Sequence, residues 1–166
     1  MIARDIMTTH PSVVTPGDSL DTAAQMMRDR HVGMLPVIDN LRDRHLIGVL
    51  TDRDVVVRCL APGHHGSCLV SDHMTAHSLS WVDPDTEVKE VVSKMKEAHV
   101  RRVPVLAGGK RLIGVISVAD LANRVRSIDP AALEALEQAM SPHLTALRGQ
   151  RTSGSGSGLR QFAGHS

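Results

Sequence analysis

The chain has 166 residues, of which 42% are hydrophobic and 22% are charged, and its formal net charge is +1. This length suits one globular unit, and the small net charge gives no bulk electrostatic argument for nucleic acid or an anionic membrane. One Trp, one Phe and no Tyr are too few for a single-stranded nucleic-acid binder that stacks bases on aromatic rings.

The termini and the cysteines indicate the compartment. No apolar run approaches the roughly 20 residues that span a bilayer, and the N-terminus is not followed by the apolar stretch of a signal peptide. Two cysteines, Cys59 and Cys68, do not make a disulfide framework. We therefore expect a cytoplasmic protein with no membrane or nucleic-acid partner.

The first sixty residues predict the element order β-α-β-β-α. Residues 12–15 form a short extended segment, and Asp18 or Ser19 can cap the helix that follows. The apolar positions of this helix recur at helical spacing, namely Leu20, Ala23, Ala24 and Met27. Buried strands are predicted at 34–38 and 45–50, and the short turn between them makes them antiparallel neighbours. Another helix begins after these strands.

This order of elements occurs twice. Three pairs of segments match in the same order and, within one or two residues, at the same spacing: DIMT at 5–8 with DHMT at 72–75, HVGMLPV at 31–37 with HVRRVPV at 99–105, and LIGVLT at 46–51 with LIGVIS at 112–117. Such a match indicates internal duplication. Because one copy alone would leave a sheet face uncovered, we expect the copies to pack together around a pseudo-twofold axis with two related clefts.

A duplicated β-α-β-β-α unit resembles the CBS domain family, in which two repeats form a Bateman module. The motifs that carry the resemblance are the DIMT start, the strand Leu35-Pro36-Val37 and the junction GVLTDRD at 48–54. Within the family the chain is similar to small stand-alone actinobacterial proteins of the hypoxic-response type. The predicted fold class is α/β (α+β), with tandem CBS repeats in pseudo-twofold packing, a C-terminal helix and a flexible tail.

The predicted segments are the first repeat at 1–62, an inter-repeat loop at 63–69 and the second repeat at 70–127. Asp129-Pro130 has the composition of a helix start, which predicts a C-terminal helix over 128–149. Thr152 and the alternating Ser and Gly at 153–158 are typical of a flexible linker, so residues 150–166 are predicted to be disordered.

The resemblance implies a ligand that carries adenosine: AMP, ADP, ATP or S-adenosylmethionine. In the family a Ser/Thr-x-x-Asp step holds the ribose and phosphate end, and its counterparts here are Thr51 with Asp54 and Ser117 with Asp120. A carboxylate can accept hydrogen bonds from ribose hydroxyls, and a helix N-terminus offers N–H groups to a phosphate. The same step is also a capping box that needs no ligand, so both interpretations stay open.

Two arginines are candidate phosphate ligands. Arg102 fills the position directly ahead of the x-Pro step, where the family often has an arginine that faces phosphates; the alternative is a solvated surface pair with Arg101. Arg53 is the second candidate, and its counterpart in the other repeat is Ala119. The two clefts are therefore chemically unequal, and we expect one good site.

We predict no catalytic residue, no metal ligand and no required cofactor, with the adenine nucleotide as a possible effector. Neither a Gly-x-Ser-x-Gly elbow nor a P-loop is present. His64, His65 and Cys68 are close in sequence, with His73 and His77 beyond, but their spacing matches no standard zinc pattern. The predicted function is a non-catalytic sensor module. The alternatives are an interaction or dimerisation module with no ligand and, third, a metal-dependent enzyme.

We also expect a homodimer and an unidentified downstream protein. The expected dimer surface consists of apolar stripes on the first helix of each repeat and on the C-terminal helix: Ala23 and Met27, Val91 and Met95, and residues 133–140. A symmetric twofold contact is the commonest arrangement of a homo-oligomer.

Overall fold

A computed structural model describes residues 1–126 of the chain. Its elements are α1 (Ala3–Ile6), β1 (Thr8–Thr9), α2 (Leu20–Arg30), β2 (Met34–Ile38), β3 (Leu46–Thr51), α3 (Asp52–Asp54) continuing as a π-helix (Val55–Leu60), α4 (Val70–His73), α5 (Val88–Glu97), β4 (Arg102–Ala107), β5 (Arg111–Ser117) and α6 (Val118–Arg126). The duplicated order of helices and strands is confirmed. The predicted C-terminal helix and tail lie outside the described residues.

Each repeat contributes one antiparallel strand pair, as predicted. In the first, β2 pairs with β3 and Met34 stands opposite Thr51. In the second, β4 pairs with β5 and Arg102 stands opposite Ser117. The predicted extended segment at 12–15 is reduced to a single parallel bridge between Val14 and its neighbour on β2. A helix starts directly after each second strand, so the Ser/Thr-x-x-Asp steps lie where strand becomes helix.

The N-terminal segments of the repeats are exchanged. β1 pairs with β5 of the second repeat, while Thr75, after α4, bridges to Val49 of the first. Glycines make these pairings close, because a Cβ on Gly48 would lie 2.9 Å from the Met74 sulfur. In the second repeat a Cβ on Gly114 would lie 2.5 Å from the sulfur of the corresponding methionine. Each repeat is therefore completed by the segment that precedes the other.

The core is aliphatic and rich in Met, as the composition requires. One cluster fills each repeat, and Ala3 and Ile6 of the exchanged α1 belong to the cluster of the second. A third cluster, Ile38 with Leu106 and Leu112, joins the two repeats. Burial of one large aliphatic side chain contributes roughly 1.5–3 kcal/mol, so this inter-repeat cluster holds the repeats together appreciably.

The apolar stripes of the first helices are buried inside the repeats. Ala23, Met27, Val91 and Met95 are each at most 7% exposed. The expectation that these stripes supply a dimer surface is therefore wrong, because each packs against the core of its own repeat. Half-exposed apolar side chains lie instead on the π-helix, at Val56, Val57 and Leu60.

The helix ends follow local sequence chemistry. Ser19 is the N-cap of α2, and its side chain accepts a hydrogen bond from the Thr22 N–H, which decides between the two predicted caps. The helix ends at His31 in a left-handed conformation (φ 52°), and His99 after α5 has the same φ. Over residues 1–126, no helix combines the length and apolarity needed to cross a bilayer.

Candidate functional site

Both Ser/Thr-x-x-Asp steps form the reciprocal hydrogen bonds of a capping box. Thr51 donates to Asp54 Oδ2 from its N–H (2.9 Å) and its hydroxyl (2.7 Å), and the Asp54 N–H donates to Thr51 Oγ1 (3.2 Å). Ser117 and Asp120 repeat this pattern at 2.7, 2.6 and 3.2 Å. Capping is thus established in both repeats. Each aspartate can still bind a ligand, because a carboxylate has about four acceptor positions and the capping bonds use only those of Oδ2.

Arg58 holds the second oxygen of Asp54. Its Nε lies 3.4 Å from Asp54 Oδ1, and the Asp54 side chain is only 12% exposed against 49% for Arg58. Arg58 Nη1 also donates to the His73 carbonyl (3.1 Å) and to Thr75 Oγ1 (3.3 Å). The first step is therefore tied to the exchanged segment. Arg58 is not among the site residues predicted from the sequence, although an Arg four positions after an Asp on one helix is a recognisable signal.

Arg102 reaches from the second repeat to the first. Arg102 is the first residue of β4 and pairs with Ser117 on β5. Its Nη1 lies 3.6 Å from the position that a Cβ on Gly33 would occupy. An oxygen of Asp52 lies 2.7 Å from the same point. The missing side chain of Gly33 thus makes room for the guanidinium and the carboxylate together. Arg102 is half-buried, whereas Arg101 beside it is exposed.

Arg53 is placed differently from Arg102. Its side chain is exposed, and within the part of the chain that the structure describes it has no ion-pair partner. Its backbone N–H donates to the Asp52 carboxylate (2.8 Å). Two arginines and one aspartate therefore surround the start of α3, while the start of α6 has Ala119 in place of Arg53. The two Ser/Thr-x-x-Asp steps therefore differ in the charged side chains beside them.

Two surface cavities occur at equivalent places in the repeats. One of about 420 Å³ lies between the extended segment and α2, lined by Ser12, Val13, Thr22, Gln25, Met26, Asp29 and Arg30. The other, about 330 Å³, lies between the segment around Trp81 and α5. Neither cavity is lined by any of the six candidate ligand residues. The candidate site, formed by the two capped steps and Arg102, is therefore separate from these two cavities.

Three groups that the sequence left separate come together near the inter-repeat loop. The sulfur atoms of Cys59 and Cys68 and a ring nitrogen of His73 all lie within 4.8 Å of one another. Proximity in the sequence groups Cys68 with the histidines and leaves Cys59 apart. Spacing along the chain does not reveal this cluster, because it depends on the packing of the π-helix against α4.

The similarity to known proteins covers both repeats. The family model of the CBS domain matches residues 3–60 and again residues 70–127. Hypoxic response protein 1 of Mycobacterium tuberculosis is 37% identical over 123 residues, which are 74% of this chain and 84% of that protein.

Two solved structures share the fold at recognisable sequence identity. A crystal structure of Hypoxic Response Protein I with two coordinated zinc ions has a TM-score of 0.65 and 36% identity, covering 74% of this chain and 98% of its own. The structure of CBSX2 in complex with AMP has a TM-score of 0.66 and 28% identity, covering 76% of this chain and 97% of its own.

Proposed function

Because this chain belongs to the CBS domain family, we propose that it is a regulatory module that binds an adenosine-type ligand between its two repeats. The observation that carries the proposal is the pair of capped Ser/Thr-x-x-Asp steps, with Arg102 extending from one repeat to the other. The AMP complex of CBSX2 supports the ligand class.

Asp54 and Asp120 are the proposed ribose ligands. Each carboxylate is already fixed by two hydrogen bonds from its own step, one of them from a backbone N–H. A fixed acceptor loses little side-chain freedom when it binds a ribose hydroxyl, which favours affinity. Thr51 and Ser117 contribute by holding these carboxylates in place.

Arg102 and Arg53 are the proposed phosphate ligands. Arg102 is half-buried beside Asp52, and Arg53 follows Asp52 in the chain. A guanidinium can donate two parallel hydrogen bonds to a phosphate, which suits AMP, ADP or ATP. Because both arginines lie beside the start of α3, we propose that the phosphate binds there.

We propose a binding role rather than a catalytic one. Each of the two carboxylates accepts its hydrogen bonds from its own Ser/Thr-x-x-Asp step, as a helix cap does. We propose the adenosine ligand as an effector and no required cofactor. We propose that the bound state is communicated to a separate downstream protein in the cytoplasm, and the alternative is an interaction module without a ligand.

The exposed face of the π-helix supports the proposal of a homodimer. Val56, Val57 and Leu60 are 54%, 48% and 54% exposed, and they follow the capped step directly. A second copy related by a twofold axis would cover the same residues on both chains. Light scattering at tens of micromolar tests this, since a mass near 18 kDa would contradict a dimer.

A thermal-shift screen of the full chain with AMP, ADP, ATP and S-adenosylmethionine tests the ligand class. A ligand at 100 times its Kd adds about 2.7 kcal/mol to the free energy of unfolding, so at least one compound is expected to raise the Tm. Absence of a shift with all four at millimolar concentration would favour the interaction module.

A further inference from the structure

We propose that Cys59, Cys68 and His73 bind a zinc-like divalent metal ion, with His64 as the fourth ligand. The two thiol sulfurs and a ring nitrogen of His73 already lie within 4.8 Å of one another. Thiol and imidazole groups together are the ligand set that Zn²⁺ prefers in structural sites. This site is separate from the capped steps and does not depend on the adenosine ligand.

The distances are close to those of a tetrahedral site. Zn–S bonds of about 2.3 Å and Zn–N bonds of about 2.0 Å place tetrahedral sulfur and nitrogen ligands roughly 3.5–3.8 Å apart. The three groups, which lie within 4.8 Å of one another, therefore need to close by about 1.3 Å at most.

His64 is positioned to complete the set. Its ring centre lies 5.6 Å from that of His73, with the ring planes tilted by 60°. Two imidazoles that share one tetrahedral ion have ring centres about 5 Å apart, given Zn–N bonds of about 2.0 Å. His64 is exposed, so its side chain can adjust to reach the ion.

The fold brings these residues together from three places. Cys59 is buried on the π-helix, Cys68 is half-buried in the inter-repeat loop, and His73 ends α4 with 5% exposure. The loop is folded back by two backbone hydrogen bonds, from the His64 N–H to the Cys59 carbonyl (2.9 Å) and from the Cys68 N–H to the His65 carbonyl (3.1 Å). Among the buried residues of 1–124, His73 is the one polar side chain.

Protonation distinguishes the metal-free from the metal-bound site. Burial raises the pKa of the Cys59 thiol, and the neighbouring Cys68 thiol raises it further. The Cys59 and Cys68 thiols must each lose a proton to bind the ion as thiolates. Metal uptake therefore releases protons and weakens as the pH falls.

Metal content of the full chain, reduced and desalted after loading with Zn²⁺ or Co²⁺, tests the proposal. We expect one ion per chain and, with Co²⁺, the visible absorption of a tetrahedral thiolate complex. Cys68→Ser and His73→Ala are expected to lose the ion and the absorption, while His77→Ala, an exposed histidine outside the cluster, keeps both. Far-UV circular dichroism checks that the variants are folded, and Cys68→Ser is the milder change because Cys68 is only half-buried.

Three results would overturn the proposal. One is a reduced wild-type chain that retains neither ion after desalting. Another is a folded Cys68→Ser variant that binds Co²⁺ as wild type does. The third is a Cys59–Cys68 disulfide that persists in millimolar reductant and leaves no thiol for the metal. His64→Ala is expected to weaken Co²⁺ at least tenfold, and unchanged binding would remove His64 as the fourth ligand.

Discussion

Nε of Arg58 lies 3.4 Å from Oδ1 of Asp54, and the same guanidinium donates to the carbonyl of His73. One side chain thus connects the first capped step with α4, which belongs to the exchanged segment. The connection joins the proposed ribose ligand to the segment that carries a proposed metal ligand. Packing between the repeats and the chemistry of the site are therefore linked at this residue.

Arg58→Ala is expected to destabilise the fold by about 0.6–2 kcal/mol. A half-exposed ion pair contributes about 0.3–1 kcal/mol and the hydrogen bond to a backbone carbonyl about as much again. Urea denaturation measures the free energy of unfolding. Arg28→Ala is the matched control, because among residues 1–126 Arg28 forms its ion pair only with its exposed neighbour Asp29. Equal effects of the two changes would show that Arg58 does not connect the segments.

Gly48→Ala is expected to cost about 1–3 kcal/mol, since overpacking forces neighbours to move. The new methyl group would lie 2.9 Å from the Met74 sulfur and 3.0 Å from the Thr75 carbonyl oxygen, which is backbone and cannot rotate away. Gly17→Ala has nothing within 4 Å and serves as the control. Urea denaturation that gives both variants the same stability would contradict the close approach of the exchanged segment.

Arg102→Ala is expected to weaken AMP by roughly tenfold to a hundredfold and to leave adenosine nearly unchanged. Hydrogen bonds to a charged group contribute about 1.5–3 kcal/mol, and Arg102→Ala removes those to the phosphate of AMP. Adenosine has no phosphate, so its affinity does not depend on these bonds. Arg102→Lys is expected to recover only part of the affinity. Met34→Ala, at the corresponding position of the first repeat, is expected to affect both ligands alike through packing. Titration calorimetry measures each Kd, and equal losses for AMP and adenosine in Arg102→Ala would exclude a phosphate role.

In the chelator-treated chain we expect Cys68 to react fast with a disulfide reagent and Cys59 to react slowly. Cys59 is buried and its raised pKa keeps the reactive thiolate scarce until the pH exceeds the ordinary range for cysteine. Its reaction with a disulfide reagent at pH 8 is therefore slow, and it accelerates as the pH rises further. Cys68→Ser is expected to remove the fast phase. Two thiols that react at one rate would contradict the burial of Cys59.

Local patterns predicted the parts of the fold that depend on local chemistry. Helical spacing located α2, the short turn predicted the antiparallel pairing of β2 with β3, and residue type limited the cap of α2 to Asp18 or Ser19. The exchange of α1 and α4 between repeats was not predictable in this way, because it depends on contacts far apart in sequence. Helical spacing also predicted the apolar face of α2. The spacing does not show whether this face packs inside its own repeat or against a second chain.

The candidate site was predictable only in part. Thr51, Asp54, Ser117 and Asp120 were identified from the repeated step, and the structure shows their capping bonds. The position of Arg102 beside Gly33 results from packing between the repeats. The meeting of Cys59 with His73 has the same origin, so chain spacing could not reveal it.

Titration calorimetry of AMP into the full chain and into the double variant Asp54→Asn/Asp120→Asn tests the central proposal most directly. Asn keeps the size of the side chain and can still accept a hydrogen bond from the step, but it removes the charge that strengthens hydrogen bonds to ribose hydroxyls. We predict saturable binding of AMP by the wild type and a loss of at least tenfold in affinity in the double variant, with circular dichroism unchanged. Equal affinity in both proteins, or no binding of any adenosine ligand by the wild type, would contradict the proposal.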